Sequence, residues 1–511
     1  MSFSIEAEEF RERLCKFCNT HQKVFIYGAG YYGKICIRFL QKMDIHIEGF
    51  ITTTGGGKIQ GITIYKAEEV LKTLQENSGI ILAVKLEYQK EIKRTFSFTC
   101  DTFEIANEES KYLQNFVYSE NIPTEVKYPF MNELFCEEWR NILVVQLEFT
   151  HGDMIWSSAF CRELRRNFPH SNIVLIINSK LCELYKSCPY IDELVPYECD
   201  TLLKEISPEI EKKANEFMNI NFANVSFDAV FLPKLLPIYF YGSQGCWENI
   251  LLAFASGAKN RIAHAMYVTD FEKYMCDRLS GLFTVIARHT NGRHEVLQKL
   301  ELLQVCGCQY MDDKMEIWLD DQDRRYASLF LSQFSDNTLL IAVAMVASSK
   351  SRSWNPSKFG NVFQDITQKY NNVKFLLCGG TDASEAVAEL TEEQKMNCID
   401  ITGRTTLTEV AAIISHCDIY LGVDTGLMHM ASTYGIPVIE ISASNMSSPG
   451  YWIASPVRSG PWKTDSIVLR PEKGLEDCQY FCSKNYSHCI NQITEESVES
   501  ALEEMISRRE N

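Results

Sequence analysis

Long apolar runs are missing from this chain: the longest, such as LLIAVAMVA (339–347), reach about half of the roughly 20 residues that a membrane-crossing helix needs. The opening MSFSIEAEEFRERL lacks the basic-then-apolar order of a secretory signal. Basic charge is also short, with 50 Lys and Arg against 67 Asp and Glu and a net charge of −17. That balance excludes the basic face of a general nucleic-acid binder and works against tight adhesion to an anionic membrane. No short-period repeat is present, which excludes solenoids and propellers. Cysteine is plentiful at 19, but it is spread over 511 residues and often set in apolar runs such as LLCGG (376–380). Thiols so placed behave as small buried hydrophobes and not as a disulfide framework. The expectation is a cytoplasmic, reducing setting with no transmembrane segment, which leaves peripheral membrane contact open.

What is present is alternation. A chain of 511 residues exceeds a single core, and an apolar fraction of 46% supplies several. In residues 1–107, KVFIYG (23–28) reads as a strand. GAGYYG (28–33) follows it and opens an amphipathic helix; HIEGFIT and GIILAV are further strands. Residues 108–139 lose the pattern and read as a linker. Residues 140–332 resume it with NILVVQLEF, the loop THGD and NIVLIIN; residues 333–511 repeat it with LLIAVAMVA, VKFLLCGG, CDIYLGVD and PVIEIS. Strands alternating with helical patterns predict parallel sheets, hence an α/β chain. The simplest arrangement is two doubly wound halves facing a cleft, plus a small Rossmann-like domain in front.

Two segments carry chemistry. In HGDMIWSSAFCRELRRNFP (151–169), Gly152 and Asp153 sit where an apolar strand ends and a helix begins, the usual place for ligand sites in open α/β sheets. Asp153 at that position either caps the helix or stays ionised there for catalysis. In GVDTGLMHMASTYGIPVIEI (422–441), Asp424 ends a strand, and Thr425 and Gly426 open a helix whose N–H groups would hold a diphosphate. His429, one turn in, shares a face with Thr425.

Taken in order with CPYIDELVPY, ENILLAFASGAKNRIAH, SKSRSWNPSKF and IDITGRTTLTEVAAIISHCDIYLGVDTGLMHMA, these segments resemble glycosyltransferase family nine, the heptosyltransferase-like enzymes, over residues 140–500. The resemblance implies a GT-B fold, with an N-terminal acceptor domain at 140–332 and a C-terminal donor domain at 333–511. It implies inverting, metal-independent transfer of a heptose or related sugar from an ADP-sugar, with no cofactor required. The acceptor would be a hydroxyl of a surface glycan, a lipid-linked glycan such as lipopolysaccharide core, or a protein. Asp153 is then the matching general base. Arg352 stands at a phosphate-binding position where the family usually has lysine, and Ser348 at a hydroxyl position of the same loop. Asp424, Thr425, Gly426 and His429 match the donor turn, and Asp382 or Glu385 would hold the ribose. Two departures stand out: His151 before Gly-Asp, and SASNMSSPG (442–450) where the family continues with a phenylalanine–glycine pair.

Other signals have competing readings. GAGYYG, with Gly28, Gly30 and Gly33, fits a dinucleotide turn, yet the second strand ends FITTT without the acid that would hold a ribose, so bound NAD is not expected. Cys478, Cys482 and Cys489, near His488, lack the usual Cys-x-x-Cys pair of zinc sites and are read as reduced thiols without metal. LDDQD (319–323) reads as a capped helix start, and Arg162, Arg165 and Arg166 as a solvated face or a guide for an anionic acceptor. Two alternatives remain beside the transferase: a non-catalytic sugar-nucleotide sensor or assembly subunit, and an NAD-linked sugar-modifying enzyme centred on GAGYYG.

Overall fold

A computed structural model describes residues 5–29, 31–59, 62–84, 86–105, 109, 139–199, 208–236, 246–266, 283–289, 293–450, 454–476, 478 and 482–510. The chain divides into two compact units, Met1–Val126 and Lys127–Asn511. The expected linker at 108–139 lies almost wholly outside the described residues. None of the described cysteines is paired in a disulfide, and no described helix is long and apolar enough to cross a membrane.

The first unit holds β1 (Lys23–Tyr27), β2 (Gly49–Thr52), β3 (Lys58–Ile59), β4 (Ile62–Lys66), β5 (Ser78–Leu82) and β6 (Asp101–Glu104). They form one sheet in the order β3-β4-β2-β1-β5-β6, parallel except for the β3–β4 pair. The apolar runs of β1 and β5 are central and buried on both faces, which explains their lack of polar alternation.

The second unit carries two sheets of identical winding. The first contains β7 (Asn141–Gln146), β8 (Asn172–Asn178), β9 (Glu193–Tyr197), β10 (Ala229–Leu236), β11 (Asn260–Met266) and β12 (Val285–His289), ordered β12-β11-β10-β7-β8-β9. The second contains β13 (Leu339–Ala344), β14 (Val373–Leu377), β15 (Cys398–Asp400), β16 (Ile419–Val423), β17 (Val438–Ile441) and β18 (Ser466–Leu469), ordered β15-β14-β13-β16-β17-β18. Every pairing in both is parallel. In each sheet the winding reverses beside the first strand, between β7 and β10 and between β13 and β16. Ligands bind open α/β sheets at such reversals, beyond the strands' carboxyl ends. The turns after β7, β13 and β16 all lie there.

A single apolar cluster runs through both halves of this unit, with Trp156 and Leu181 from the first and Tyr420 and Met428 from the second. Each large apolar side chain buried in it contributes about 1.5–3 kcal/mol. The LDDQD segment is a helix start: Asp320 caps the helix Asp321–Leu331 in a reciprocal capping box with Asp323. Arg162 and Arg165 do not form a solvated face, whereas Arg166 is exposed as that reading expects. Arg162 is buried and bonds the carbonyls of Asp312 and Lys314 and the carboxylate of Glu316. Arg165 bonds the carbonyls of Tyr190 and Ser171 and pairs with Asp192, and Arg166 pairs with Glu163. Burial forces the Arg162 cation into structural pairing.

Candidate active site where two strand-to-helix turns meet

β7 ends in buried apolar residues, and the backbone then turns into the helix His151–Trp156. Thr150 caps that helix: its hydroxyl accepts from the Asp153 N–H at 3.3 Å and lies 2.8 Å from Asp153 Oδ2, to which it donates. Asp153 is half-buried in the first helical turn. The capping is thus done by Thr150, and the Asp153 carboxylate is oriented by the cap residue.

This turn touches the one after β16. A Cβ on Gly152 would lie 2.8 Å from His429 Cδ2 and 3.9 Å from the Gly426 Cα; one on Gly426 would lie 2.9 Å from His151 Cβ. Two glycines therefore let the backbones approach as no larger residue would allow. The sequence reading placed Asp153 and the Asp424–His429 turn in one site; the close approach is made by the neighbours of Asp153, with His151 and Gly152 lying against Gly426 and His429.

On the second sheet, Arg352 leaves the short 3₁₀ turn Lys350–Arg352 after β13 and reaches across to β16. Its Nη1 bonds Asp424 Oδ2 at 3.1 Å, and its Nη2 bonds Ser348 Oγ at 2.7 Å. Thr425 heads the helix Gly426–Thr433 without a side-chain cap; its hydroxyl meets Tyr420 at 3.1 Å instead. The first helical N–H groups so left uncapped are an anion site in waiting. Burial raises the pKa of Asp424, against the pull of Arg352. Asp382 and Glu385 are exposed at the start of the helix Ala383–Ala388, after β14, which adjoins β13 at the same sheet edge.

Three groups escaped the sequence reading. Glu440, in β17, is 1% exposed, and burial, then the nearby Asp424, push its pKa up to about 8. His294 stacks on Trp462 at 4.2 Å between ring centroids and contacts Trp156 edge-on. Trp156 in turn donates to His429 Nδ1 at 3.3 Å, so the neutral His429 ring carries its proton on Nε2, 3.9 Å from Asp424 Oδ1. Burial depresses both histidines, His294 to about 4 and His429 to about 3. Contacts spanning well over a hundred residues leave no local sequence signal; a polar residue inside the apolar strand VIEI was the one clue available for Glu440.

The cysteines read from the sequence as reduced thiols come together with His488 in the fold. Cys478, Cys482, Cys489 and His488 place one ligand atom each within 4.8 Å of all the others. The three sulfurs lie 3.5–3.7 Å from His488 Nδ1. An edge of about 3.8 Å is what a tetrahedron with metal–sulfur bonds of about 2.3 Å has. With His488, named beside the cysteines in the sequence reading, the cluster offers four donor atoms. Although burial opposes it, hydrogen bonds from Ser483, Cys489 and His488 bring the Cys478 thiol down to about 7.

In the first unit Gly28 has φ +107°, and a Cβ on Gly33 would fall 1.9 Å from the Gly28 carbonyl oxygen, so both glycines are dictated by the tight strand–helix turn. Gly30 lies outside the described residues. At the end of β2, where a ribose-binding acid would sit, the Thr52 hydroxyl accepts from the Gly55 N–H at 2.9 Å.

Two doubly wound halves whose strand-end turns meet make up the GT-B fold. Residues 260–482 match glycosyltransferase family 9 (heptosyltransferase), a stretch that includes Arg352 and the Asp424–His429 turn and begins after Asp153. The chain is 23% identical over 344 residues to the lipopolysaccharide core heptosyltransferase OpsX of Haemophilus influenzae, covering 67% of this chain and 88% of that protein. It is 22% identical over 308 residues to lipopolysaccharide heptosyltransferase 3 of Escherichia coli K12, covering 57% and 79%. In fold it resembles the family 9 glycosyltransferase of Veillonella parvula, with a TM-score of 0.54, 21% identity and coverage of 72% of this chain and 97% of that one. It also resembles E. coli ADP-heptose lipopolysaccharide heptosyltransferase II, with a TM-score of 0.52, 17% identity and coverage of 73% and 100%. The match over residues 260–482 and these relatives mark the chain as a glycosyltransferase similar to family 9.

Proposed function

We propose that the protein moves a heptose or related sugar from an ADP-sugar to an acceptor hydroxyl, with inversion and without a catalytic metal, on the cytoplasmic side of the cell. The observation supporting this reading is the close approach of Gly152 to His429 and Gly426, which joins the strand-to-helix turn that carries Asp153 to the Asp424–Gly426 turn. The relatives' names, heptosyltransferases of lipopolysaccharide, support the sugar and point to lipopolysaccharide core among the candidate acceptors. Another surface glycan and a protein fit the same chemistry.

In this account the acceptor oxygen attacks the anomeric carbon as its proton passes to the Asp153 carboxylate, held in place by Thr150. The bond from the anomeric carbon to the diphosphate oxygen breaks with its electron pair, and ADP departs. Arg352 and the uncapped N–H groups of the Gly426–Thr433 helix offset the charge gathering on the diphosphate. Neutral His429, between Trp156 and Asp424, is a fixed wall of the site. Asp382 or Glu385 takes the ribose. Residues 140–332 hold the acceptor and 333–511 the donor.

The Cys478–Cys482–His488–Cys489 cluster fits a structural ion with four protein ligands and no open position. When bound, such an ion would cross-link the chain and take no part in transfer. Next to His488, the Ser487 hydroxyl donates to the carbonyls of Lys350 and Ser353, so the cluster anchors the loop that presents Arg352.

The direct test is Asp153→Asn. The proposal predicts a fall in kcat of about 10²–10⁴-fold with ADP affinity within about twofold of wild type, the usual contribution of a general base. Near-normal kcat in that variant removes the base assignment.

A further inference from the structure

Glu440 lies inside the donor half, in a strand otherwise made of valine and isoleucine. Its partner across the sheet is Gly422, and Asp424 lies two residues on, so the two carboxyls share one face of the sheet. Gly422 offers no side chain there; a Cβ would strike the Ala344 carbonyl oxygen at 2.5 Å and the Tyr420 hydroxyl at 2.9 Å. Glu440 lies within electrostatic reach of Asp424, with only 1% of its surface exposed.

The charged groups around it are Asp424 from the end of β16, Arg352 from the turn after β13, and Arg470 just beyond β18; Ser442 of its own segment hydrogen-bonds to it. Both guanidiniums are engaged elsewhere. Arg352 bonds Asp424 and Ser348; Arg470 bonds the carbonyls of Ser444 and Asn445. Glu440 Oε2 has no hydrogen-bond partner among the described residues. An ionised carboxylate buried with a bare oxygen beside a second carboxylate is strongly disfavoured, and one of the two keeps its proton. Arg352 selects which: it bonds Asp424, leaving Glu440 as the neutral acid.

Resting on the proposed ADP-sugar site, we propose that Glu440 is a positioning residue that holds a proton and thereby sets the charge of the diphosphate cradle. With Glu440 neutral, Asp424, Arg352 and Arg470 together carry one positive charge facing the diphosphate. Loss of the Glu440 proton cancels that charge and pulls Arg352 between two carboxylates. Diphosphate binding is therefore coupled to one proton on Glu440, and no bond to the substrate is required of it.

The test is calorimetric titration of the full chain with ADP between pH 7.5 and 9.5, for wild type and Glu440→Gln. Wild type should lose affinity in the alkaline half of that range, approaching tenfold per pH unit, the limit for one linked proton. Glu440→Gln, an isosteric neutral group, should match wild type within about twofold at pH 7.5 and lose the alkaline fall. A tenfold weaker Gln variant at pH 7.5, or the same alkaline fall in both, overturns the proposal. So does a wild-type affinity that stays constant across the range, a result that needs no variant to fold. A ligand-free readout separates this from failure of the ADP reading. At pH 7 the infrared carbonyl band of a neutral carboxylic acid should be present in wild type and absent in Glu440→Gln. If ADP does not bind but the band behaves so, the donor is wrong and the protonated Glu440 stands; if the band is missing from wild type, the proposal falls.

Discussion

At the scale of single residues, the site works by keeping buried groups neutral where charge would be costly. His429 and His294 are the clearest cases, because burial pushes both well below the ordinary histidine range. The unfolded chain takes up protons on these rings near pH 6.5 while the folded chain refuses them until about pH 4 and then pH 3. Stability is therefore complete above about 6.5 and is lost as pH falls through the interval below it. Urea denaturation midpoints should fall steeply from pH 6.5 to 4.5 in wild type and less steeply in His429→Gln; equal slopes would show that His429 is not buried neutral. Such behaviour was not legible beforehand. His429 stood out in the sequence for its place in DTGLMH, but its neutrality depends on Trp156 and His294, which are remote in sequence.

At the scale of elements, the two strand-to-helix turns were legible because their signals are local. An apolar strand, then Gly-Asp or Asp-Thr-Gly, then an amphipathic helix identifies itself within twenty residues, and parallel strands buried on both faces read as apolar runs such as NILVVQ and LLIAVA. The purpose of Gly152 and Gly426 was not legible: each looked like part of a ligand loop, and each is also the contact by which the halves meet. That contact makes a prediction of unusual sign. Gly→Ala inside a helix normally stabilises by up to about 1 kcal/mol. Gly152→Ala would instead set a methyl 2.8 Å from His429 Cδ2, and the overlap should destabilise by about 1–3 kcal/mol. Chemical denaturation decides between the two signs, and a more stable Gly152→Ala variant would mean that the seam is looser than described.

At the scale of the whole molecule, the repeated winding of the two later sheets explains why the chain could be read as strand–helix units at all, since each sheet reverses beside its first strand and places its loops on one edge. The gathering of Cys478, Cys482, His488 and Cys489 was not legible because their spacing in the sequence does not fix how the four side chains meet. Its consequence extends to the donor loop, through Ser487 to the carbonyls of Lys350 and Ser353. Elemental analysis of protein purified without chelator should find about one zinc or iron per chain, as a four-donor Cys₃His site implies. Stripping the ion, or Cys482→Ser, should lower the melting temperature and weaken ADP binding together. Metal-free protein with unchanged melting would remove the structural ion.

The most direct measurement of the central claim is parallel calorimetric titration of the full chain with ADP, UDP, GDP and NAD, repeated on Arg352→Ala. The account predicts that ADP binds selectively, that Arg352→Ala weakens it tenfold or more by removing a charge-assisted contact to the diphosphate, and that NAD does not bind. Binding of NAD or UDP in place of ADP, or ADP affinity untouched by Arg352→Ala, would contradict an adenine-nucleotide donor seated on the turn at Asp424–Gly426.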